Sequence, residues 1–227
     1  MISRIDQGEL KRRVALAAVD AVVPSLGTGA IVGVGTGSTT NHFIDALAKL
    51  KDRFEAAVSS SIASAERLAA HGVRVIDLND AETIAVYVDG ADEVEPGGAL
   101  IKGGGGAHTR EKIVAAAAER FICIVDESKE VDTLGVFGVP VEVVPMARRS
   151  VAGRLRALGG EVRERAGFVT DNGNAVLDLH GLTVADPDAL EAQVNNLAGV
   201  VENGIFAANR PDLVLVGTPE GVRELVP

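Results

Sequence analysis

Tryptophan is absent from the chain, tyrosine occurs once, and aromatic residues make up only 3% of it. That excludes a stacking platform for bases or glycans, which needs several exposed rings. The single cysteine, Cys123, has no partner for an internal disulfide. Together with only four histidines it offers no Cys/His zinc cluster, so no metal is expected. In the run FICIV, Cys123 reads as a small buried hydrophobe. Basic residues are also scarce: 22 Lys and Arg stand against 32 Asp and Glu, a net charge of −10. No nucleic-acid surface and no polybasic membrane anchor is expected from that balance. No apolar run approaches the roughly 18 residues of a membrane-spanning helix. The start, MISRIDQGELKRRVALAAVDAVV, mixes both charge signs and lacks an apolar core ahead of a cleavage site. No targeting segment is expected, and the cytoplasm is the expected compartment.

What remains is a chain of 227 residues, 47% hydrophobic and 24% charged, enough for one large domain or two modest ones. Leu10, Val14, Ala17, Ala18, Ala21 and Val22 recur at helical spacing before Pro24. AIVGVG is a short apolar run ending in glycine and reads as a buried strand. A second helical pattern carries Phe43, Ile44, Leu47 and Leu50, and SAERLAAHG a third that Gly72 closes. FEAAVSSS, VRVIDL, TIAVYVDG and RFICIVDES are further runs of strand length, the last preceded by a helix through Ala115–Ala118. This alternation predicts an α/β, Rossmann-like domain: an open, largely parallel sheet with helices on both faces.

From about residue 139 the rhythm changes. VPVEVVP, EVRER and VVENGIF read as strands, MARRSVAGRLRALG and DPDALEAQVNNLAG as helices, and FVT–DNGN–AVLDLHG as a hairpin around an Asn-Gly turn. Strand, helix, two strands, helix, strand is the pattern of a smaller α+β, ferredoxin-like (βαββαβ) domain. PDLVLVGT then returns to a fully apolar strand. The pattern places residues 1–135 and 207–227 in the Rossmann-like domain and 136–206 in the smaller one.

The 26 glycines exceed the usual share of roughly 7%, and seven of them stand in GVGTG and GGGG. GVGTGSTT, between a strand and a helix, offers the unpaired N–H groups and positive dipole end of a helix N-terminus to an anion. It lacks the lysine of a Walker loop, and Ser38 stands where the dinucleotide fingerprint needs glycine. A phosphate of a small substrate fits better. Asp89-Gly90-Ala91-Asp92 follows the strand TIAVYV and sets two carboxylates three apart, able to accept sugar hydroxyls or to share a proton. Lys102 precedes Gly103–Gly106, and Glu111 falls in the first turn of a helix if Thr109 is its N-cap. Arg110 and Lys112 read as solvated, and Lys129 follows the strand FICIVD. All four segments trail apolar strands, so one sheet edge is expected to gather an anion cradle, two acids, two lysines and a candidate base. The set suits proton transfer on a small phosphorylated, hydroxylated substrate.

Taken in order, GVGTGSTT, SSSIAS, YVDGADEV, KGGGGAHTREK, FICIVDESK, PVEVVPMA, VTDNGN and GTPEGV resemble the A-type ribose-5-phosphate isomerase family over nearly the whole chain. The resemblance implies interconversion of ribose 5-phosphate and ribulose 5-phosphate in the non-oxidative pentose phosphate pathway, with no cofactor and no metal. It implies a homodimer or homotetramer whose partner is a small sugar phosphate. It makes Glu111 the proton acceptor, with Asp89, Asp92 and Lys102 catalytic beside it. Substrate binding then falls to Thr36, Gly37, Ser38, Thr39, Asp89, Gly90, Ala91, Asp92, Lys102, Gly103, Gly104, Gly105 and Lys129. Two positions depart from the family's habit: Gly106 stands where Ala is common and His108 where Leu is common. His108 reads as a neutral surface or packing substitution. A sugar-phosphate sensor domain without catalysis is the alternative, though no basic helix-turn-helix segment is seen at either end. A nicotinamide oxidoreductase is disfavoured by Ser38. The acidic total does not forbid a phosphate, because Lys102, Lys129 and a helix N-terminus can dominate the local field of a cleft.

Overall fold

The computed structural model describes residues 6–227; the expectation about a targeting segment falls partly on residues outside that range. The helices are α1 (Gln7–Val22), α2 (Ser38–Leu47), α3 (Ile62–Ala70), α4 (His108–Ala117), α5 (Arg148–Arg156) and α6 (Pro187–Asn195). The first seven strands are β1 (Ile31–Val34), β2 (Ala56–Ser59), β3 (Val86–Asp89), β4 (Glu93–Val94), β5 (Leu100–Ile101), β6 (Phe121–Asp126) and β7 (Val139–Val143). The rest are β8 (Glu161–Glu164), β9 (Ala175–His180), β10 (Val200–Asn203), β11 (Ile205–Phe206), β12 (Leu213–Thr218) and β13 (Gly221–Leu225). The chain divides into two compact units. One takes the residues up to Gly90, Ile113–Lys129 and Pro211–Pro227; the other takes Ala91–Lys112 and Glu130–Arg210.

The first unit is built on a six-stranded sheet ordered β13-β12-β6-β3-β1-β2, parallel except for the β12–β13 hairpin. Its parallel strands are largely apolar at consecutive positions because both faces are covered. One face sends Val32, Val34, Val86, Val88, Ile122, Ile124 and Leu215 against Val14 and Ala18 of α1, Phe43 and Leu47 of α2 and Leu68 of α3. Each of these Val, Ile, Leu and Phe side chains contributes roughly 1.5–3 kcal/mol on burial. On the opposite face Gly33 leaves room for Tyr87 and for Val114 of α4, and Tyr87 packs on Phe121 with ring centroids 5.2 Å apart. Cys123 is fully buried in β6. The expected open, largely parallel sheet with helices on both faces is therefore present.

In the second unit, β7, β8, β9 and β10 form an antiparallel sheet ordered β10-β7-β9-β8, with α5 between β7 and β8 and α6 between β9 and β10. That is the expected split βαββαβ arrangement. A further three-stranded antiparallel sheet, β11-β5-β4, belongs to the same unit. Ala99 and Ile101 share a core with Val139, Val141, Leu155, Leu177 and Val194. This is why residues 91–112, which the sequence pattern kept with the first domain, group with the second.

Three local expectations differ from the structure. VRVIDL makes only a single bridge, Val75 to Ala57, before Asp77 turns the chain by accepting the Asn79 N–H. VVENGIF is split at Gly204, where a Cβ would collide with the Lys102 carbonyl, and its halves join different sheets. FVT is not a strand: β9 pairs with β8, and the Asn-Gly turn lies in the loop joining them.

Candidate active site

In the first unit, β1 delivers Gly35 against β3, its N–H bonded to the Val88 carbonyl. A side chain there would collide with the carboxyl of Asp89. Asp89 is fully buried and gathers donors around itself: the N–H groups of Thr36 (2.9 Å) and Gly90 (2.7 Å), the Thr40 hydroxyl (3.3 Å) and the Tyr87 hydroxyl (2.5 Å). The acid thus stitches the TGST turn to the end of β3. Gly37 takes φ +123° and opens α2 without a side-chain cap. The first N–H bonded back within the helix is that of Asn41, to Gly37. The amides of Ser38, Thr39 and Thr40 are left as donors, with the positive end of the helix behind them. Thr36 Oγ1 lies 3.1 Å from Ser60 Oγ.

Lys11, on α1, donates to Ser38 Oγ at 3.1 Å and brings a cation to this turn. Sequence reasoning missed it, since a lysine on a half-exposed helix face carries no local signal. Lys129 is half-buried in the turn Glu127–Lys129 at the carboxyl end of β6. The expected gathering at one edge of the parallel sheet therefore holds for the TGST turn, Asp89 and Lys129.

Asp92, Lys102 and Glu111 belong to the second unit, and Lys102 follows β5 of the small antiparallel sheet. Asp92 precedes β4; its N–H bonds to Ile101, and its Oδ2 accepts the Gly104 N–H at 2.7 Å. The Lys102 N–H bonds to Gly204, and its side chain, 2% exposed, runs inward to lie 3.2 Å from Glu111 Oε2 and 5.4 Å from the centre of the Phe206 ring. The Glu111 side chain is 6% exposed, in the first turn of α4. A carboxylate and an ammonium thus face each other out of water. Such a pair can exchange partners with a substrate that brings one proton to lose and one developing negative charge.

The surroundings correct several readings. Thr109 is not the N-cap: α4 begins at His108, and Thr109 Oγ1 donates to Glu142 at 2.5 Å. Glu142 is fully buried and also accepts from Thr170, Asn172 and Asn174. Burial alone would raise its pKa; these hydrogen bonds outweigh that and hold it below the ordinary carboxylate range. Lys112 is not solvated but buried, bonded to Glu191 (2.6 Å), Glu202 (2.9 Å) and the Ile205 carbonyl (2.6 Å). Arg110 is half-buried and donates to Asn172 and the Asp171 carbonyl. His108 is fully buried, with Nε2 3.3 Å from the Glu202 carbonyl. It is a packing residue, as one branch of the expectation had it, and burial pushes its pKa down to about 4.

Among the described residues no helix is long and apolar enough to cross a membrane. Residues 56–221 match the family model described as ribose 5-phosphate isomerase A (phosphoriboisomerase A). The TGST turn lies ahead of that segment, but matches to solved structures reach it. Ribose 5 phosphate isomerase A from Neisseria gonorrhoeae is 47% identical, with 98% of each chain covered and a TM-score of 0.94. The enzyme from Methanocaldococcus jannaschii is 39% identical, covering 98% of this chain and 100% of that one, with a TM-score of 0.91. A D-ribose-5-phosphate isomerase in complex with phospho-erythronic acid is 36% identical over 98% of this chain and 100% of that one, with a TM-score of 0.92. At these identities over essentially full length, with the family model covering most of the sequence, the chain belongs to the ribose 5-phosphate isomerase A family.

Proposed function

We propose that the chain interconverts D-ribose 5-phosphate and D-ribulose 5-phosphate through an enediolate, without a cofactor, as a step of the non-oxidative pentose phosphate pathway. The observation that carries this reading is the buried pair of Glu111 and Lys102, 3.2 Å apart beside a glycine turn. In the open-chain aldose, Glu111 takes the proton on C2; the electron pair forms the C1–C2 double bond and leaves an oxyanion on O1. The proton returns from Glu111 to C1 while the O2 hydroxyl proton passes to O1. The ketose forms and the carboxylate is restored. Lys102, with the backbone N–H groups of Gly103 and Gly105, meets the charge on oxygen; a positioned base supplies roughly 10²–10⁴-fold and an oxyanion donor about 10²–10³-fold.

Asp92 has one oxygen engaged by Gly104, and its other oxygen accepts a sugar hydroxyl and helps move its proton as the ring opens. Asp89, already ringed by donors, serves chiefly to shape the TGST turn around Thr36–Thr39. The amides and hydroxyls of that turn, with Lys11 and Lys129, suit the phosphate.

The test is direct: incubate the protein with ribose 5-phosphate, with no cofactor or metal added, and follow the ketose. Glu111→Gln is expected to lose turnover by more than a hundredfold. It should still bind phospho-erythronic acid, the ligand of the relative at 36% identity. Turnover within tenfold of the parent refutes the assignment, and ligand binding with no turnover by the parent would favour a sensor domain. We further propose a cytoplasmic homodimer or homotetramer. In support, members of the family it resembles are commonly homodimers or larger, and Val136, Met146 and Val169 are left 83, 94 and 66% exposed in the single chain. Light scattering that returned a monomer mass would refute it.

A further inference from the structure

The four glycines after Lys102 form a tight turn. The Gly106 N–H donates to the Gly103 carbonyl at 2.9 Å, which makes Gly104 and Gly105 its central residues. Neither has positive φ, so the turn is of type I. A type II turn differs by rotation of the central peptide, here Gly104–Gly105, and requires positive φ at Gly105, which glycine adopts without penalty. Sequence alone therefore leaves two orientations of this peptide close in energy, and something else must choose.

Arg165, in the loop after β8, does so. Its Nη1 donates to the Gly104 carbonyl at 3.0 Å, while Nε and Nη2 both bond to Asp178 of β9, each at 2.6 Å. The pair is mostly buried, with the Arg165 side chain 18% and Asp178 16% exposed. The guanidinium carbon also lies 5.7 Å from the centre of the Phe168 ring. With its fork and ring face both engaged, Arg165 has little freedom to follow a moving carbonyl. On the other side of the turn, Asp92 fixes the preceding peptide through the Gly104 N–H. In a planar trans peptide the carbonyl and the following N–H point in opposite directions. Holding the Gly104 carbonyl therefore aims the Gly105 N–H away from Arg165. No chain atom would lie within 4 Å of a Cβ at Gly105.

We propose that Arg165, braced by Asp178, is a positioning residue that locks the Gly104–Gly105 peptide so that the Gly105 N–H serves as an oxyanion donor. The inference rests on the proton-transfer reading above and extends it to a residue that never touches substrate. A flipped peptide would present the Gly104 carbonyl where a donor is needed, and carbonyl oxygen repels an oxyanion.

The test is a double-mutant cycle on isomerisation of ribose 5-phosphate. A hydrogen bond from a charged group biases an equilibrium by about ten- to a hundredfold. Arg165→Ala is accordingly expected to lower kcat about tenfold with KM within about threefold. Gly105→Ala disfavours the positive φ that the flipped turn needs. Whatever that substitution costs by itself, adding Arg165→Ala to it should lower kcat no more than about twofold. An equal loss in both backgrounds means a merely structural role and overturns the proposal, as does kcat within twofold of the parent for Arg165→Ala alone. If the alanine variant fails to fold, judged by circular dichroism, Arg165→Lys replaces it in both arms with the same criteria. A readout without turnover keeps the two readings separable: the Gly104 and Gly105 amide protons lie close in the observed turn and far apart in the flipped one. Loss of their nuclear Overhauser contact in Arg165→Ala supports the lock even if the parent proves inactive, and an unchanged contact refutes it.

Discussion

Replacing His108 by leucine should remove most of the acid sensitivity of the fold between pH 7 and pH 5. His108 is fully buried, and desolvation is the largest influence on it. Lys112 and Arg165 add to that in the same direction; Glu142 and the Glu202 carbonyl oppose it. The outcome is a pKa near 4, against an ordinary value of 6.5. Since Nε2 faces a carbonyl, it carries the proton of the neutral ring. As pH falls below 6.5, the unfolded chain takes up a proton at this position while the folded chain does not, so stability is lost as pH drops. It is flat above about 7. One pH unit within the window corresponds to about 1.4 kcal/mol, which gives about 2 kcal/mol between pH 7 and 5 and about 3 kcal/mol by pH 4.

With no tryptophan and a single tyrosine, urea unfolding is best followed by far-ultraviolet circular dichroism at fixed ionic strength. The parent should lose about 2 kcal/mol from pH 7 to 5 in excess of any loss in His108→Leu. The variant itself starts lower by about 1–3 kcal/mol, because the Glu202 carbonyl loses a donor, but that cost does not depend on pH. Glu142 contributes in the same direction only below its ordinary 4.5, outside the window. Parallel pH profiles for parent and variant would refute the argument.

Two other substitutions follow from single contacts. Gly106 has φ +76°, and a Cβ there would collide with the Phe168 ring, so Gly106→Ala should cost about 1–3 kcal/mol in urea unfolding. In a Phe168→Val background the cost should shrink by at least half, and an unchanged cost would assign it wholly to the backbone. Lys11→Ala should raise KM for ribose 5-phosphate about tenfold, less at high salt, with kcat nearly unchanged, since a phosphate contact remote from the reacting carbons stabilises ground and transition states alike. An unaltered KM at low salt would remove Lys11 from the cradle.

The strands of the parallel sheet were legible because a buried strand between two helical layers must be apolar at every position, as AIVGVG and FICIV are. The TGST turn, Asp89 and Lys129 came with them, since residues that trail such strands share an edge. β4 and β5 were not legible. At two residues each they are too short to show a period; β4 pairs with β5, and β5 pairs with β11, over a hundred positions later. Lys112 was misread for a related reason. A lysine on a helix is ordinarily solvated, and only the fold brings Glu191, Glu202 and the Ile205 carbonyl to its ammonium. Glu142 drew no notice in the strand VPVEVVP, where an acid looks like a solvent-facing position; four distant side chains make it a buried acceptor.

The four consecutive glycines can now be separated. Gly103 has φ +106°, and a Cβ would sit 2.7 Å from His108 Nδ1; Gly104 would bring one to 2.7 Å from Asp92 Oδ1; Gly106 combines positive φ with the Phe168 ring. Each of the three is required by something within the chain. Gly105 is not: its φ suits any residue and the space above it is open. A residue with a side chain would cost less entropy on folding there, while glycine leaves the backbone open to close approach. That opening lies at the one central amide of the turn whose direction is set by Arg165. In the proposed reaction this is the amide that meets the oxyanion, so of the four glycines it is the one assigned to the substrate rather than to the packing of the chain.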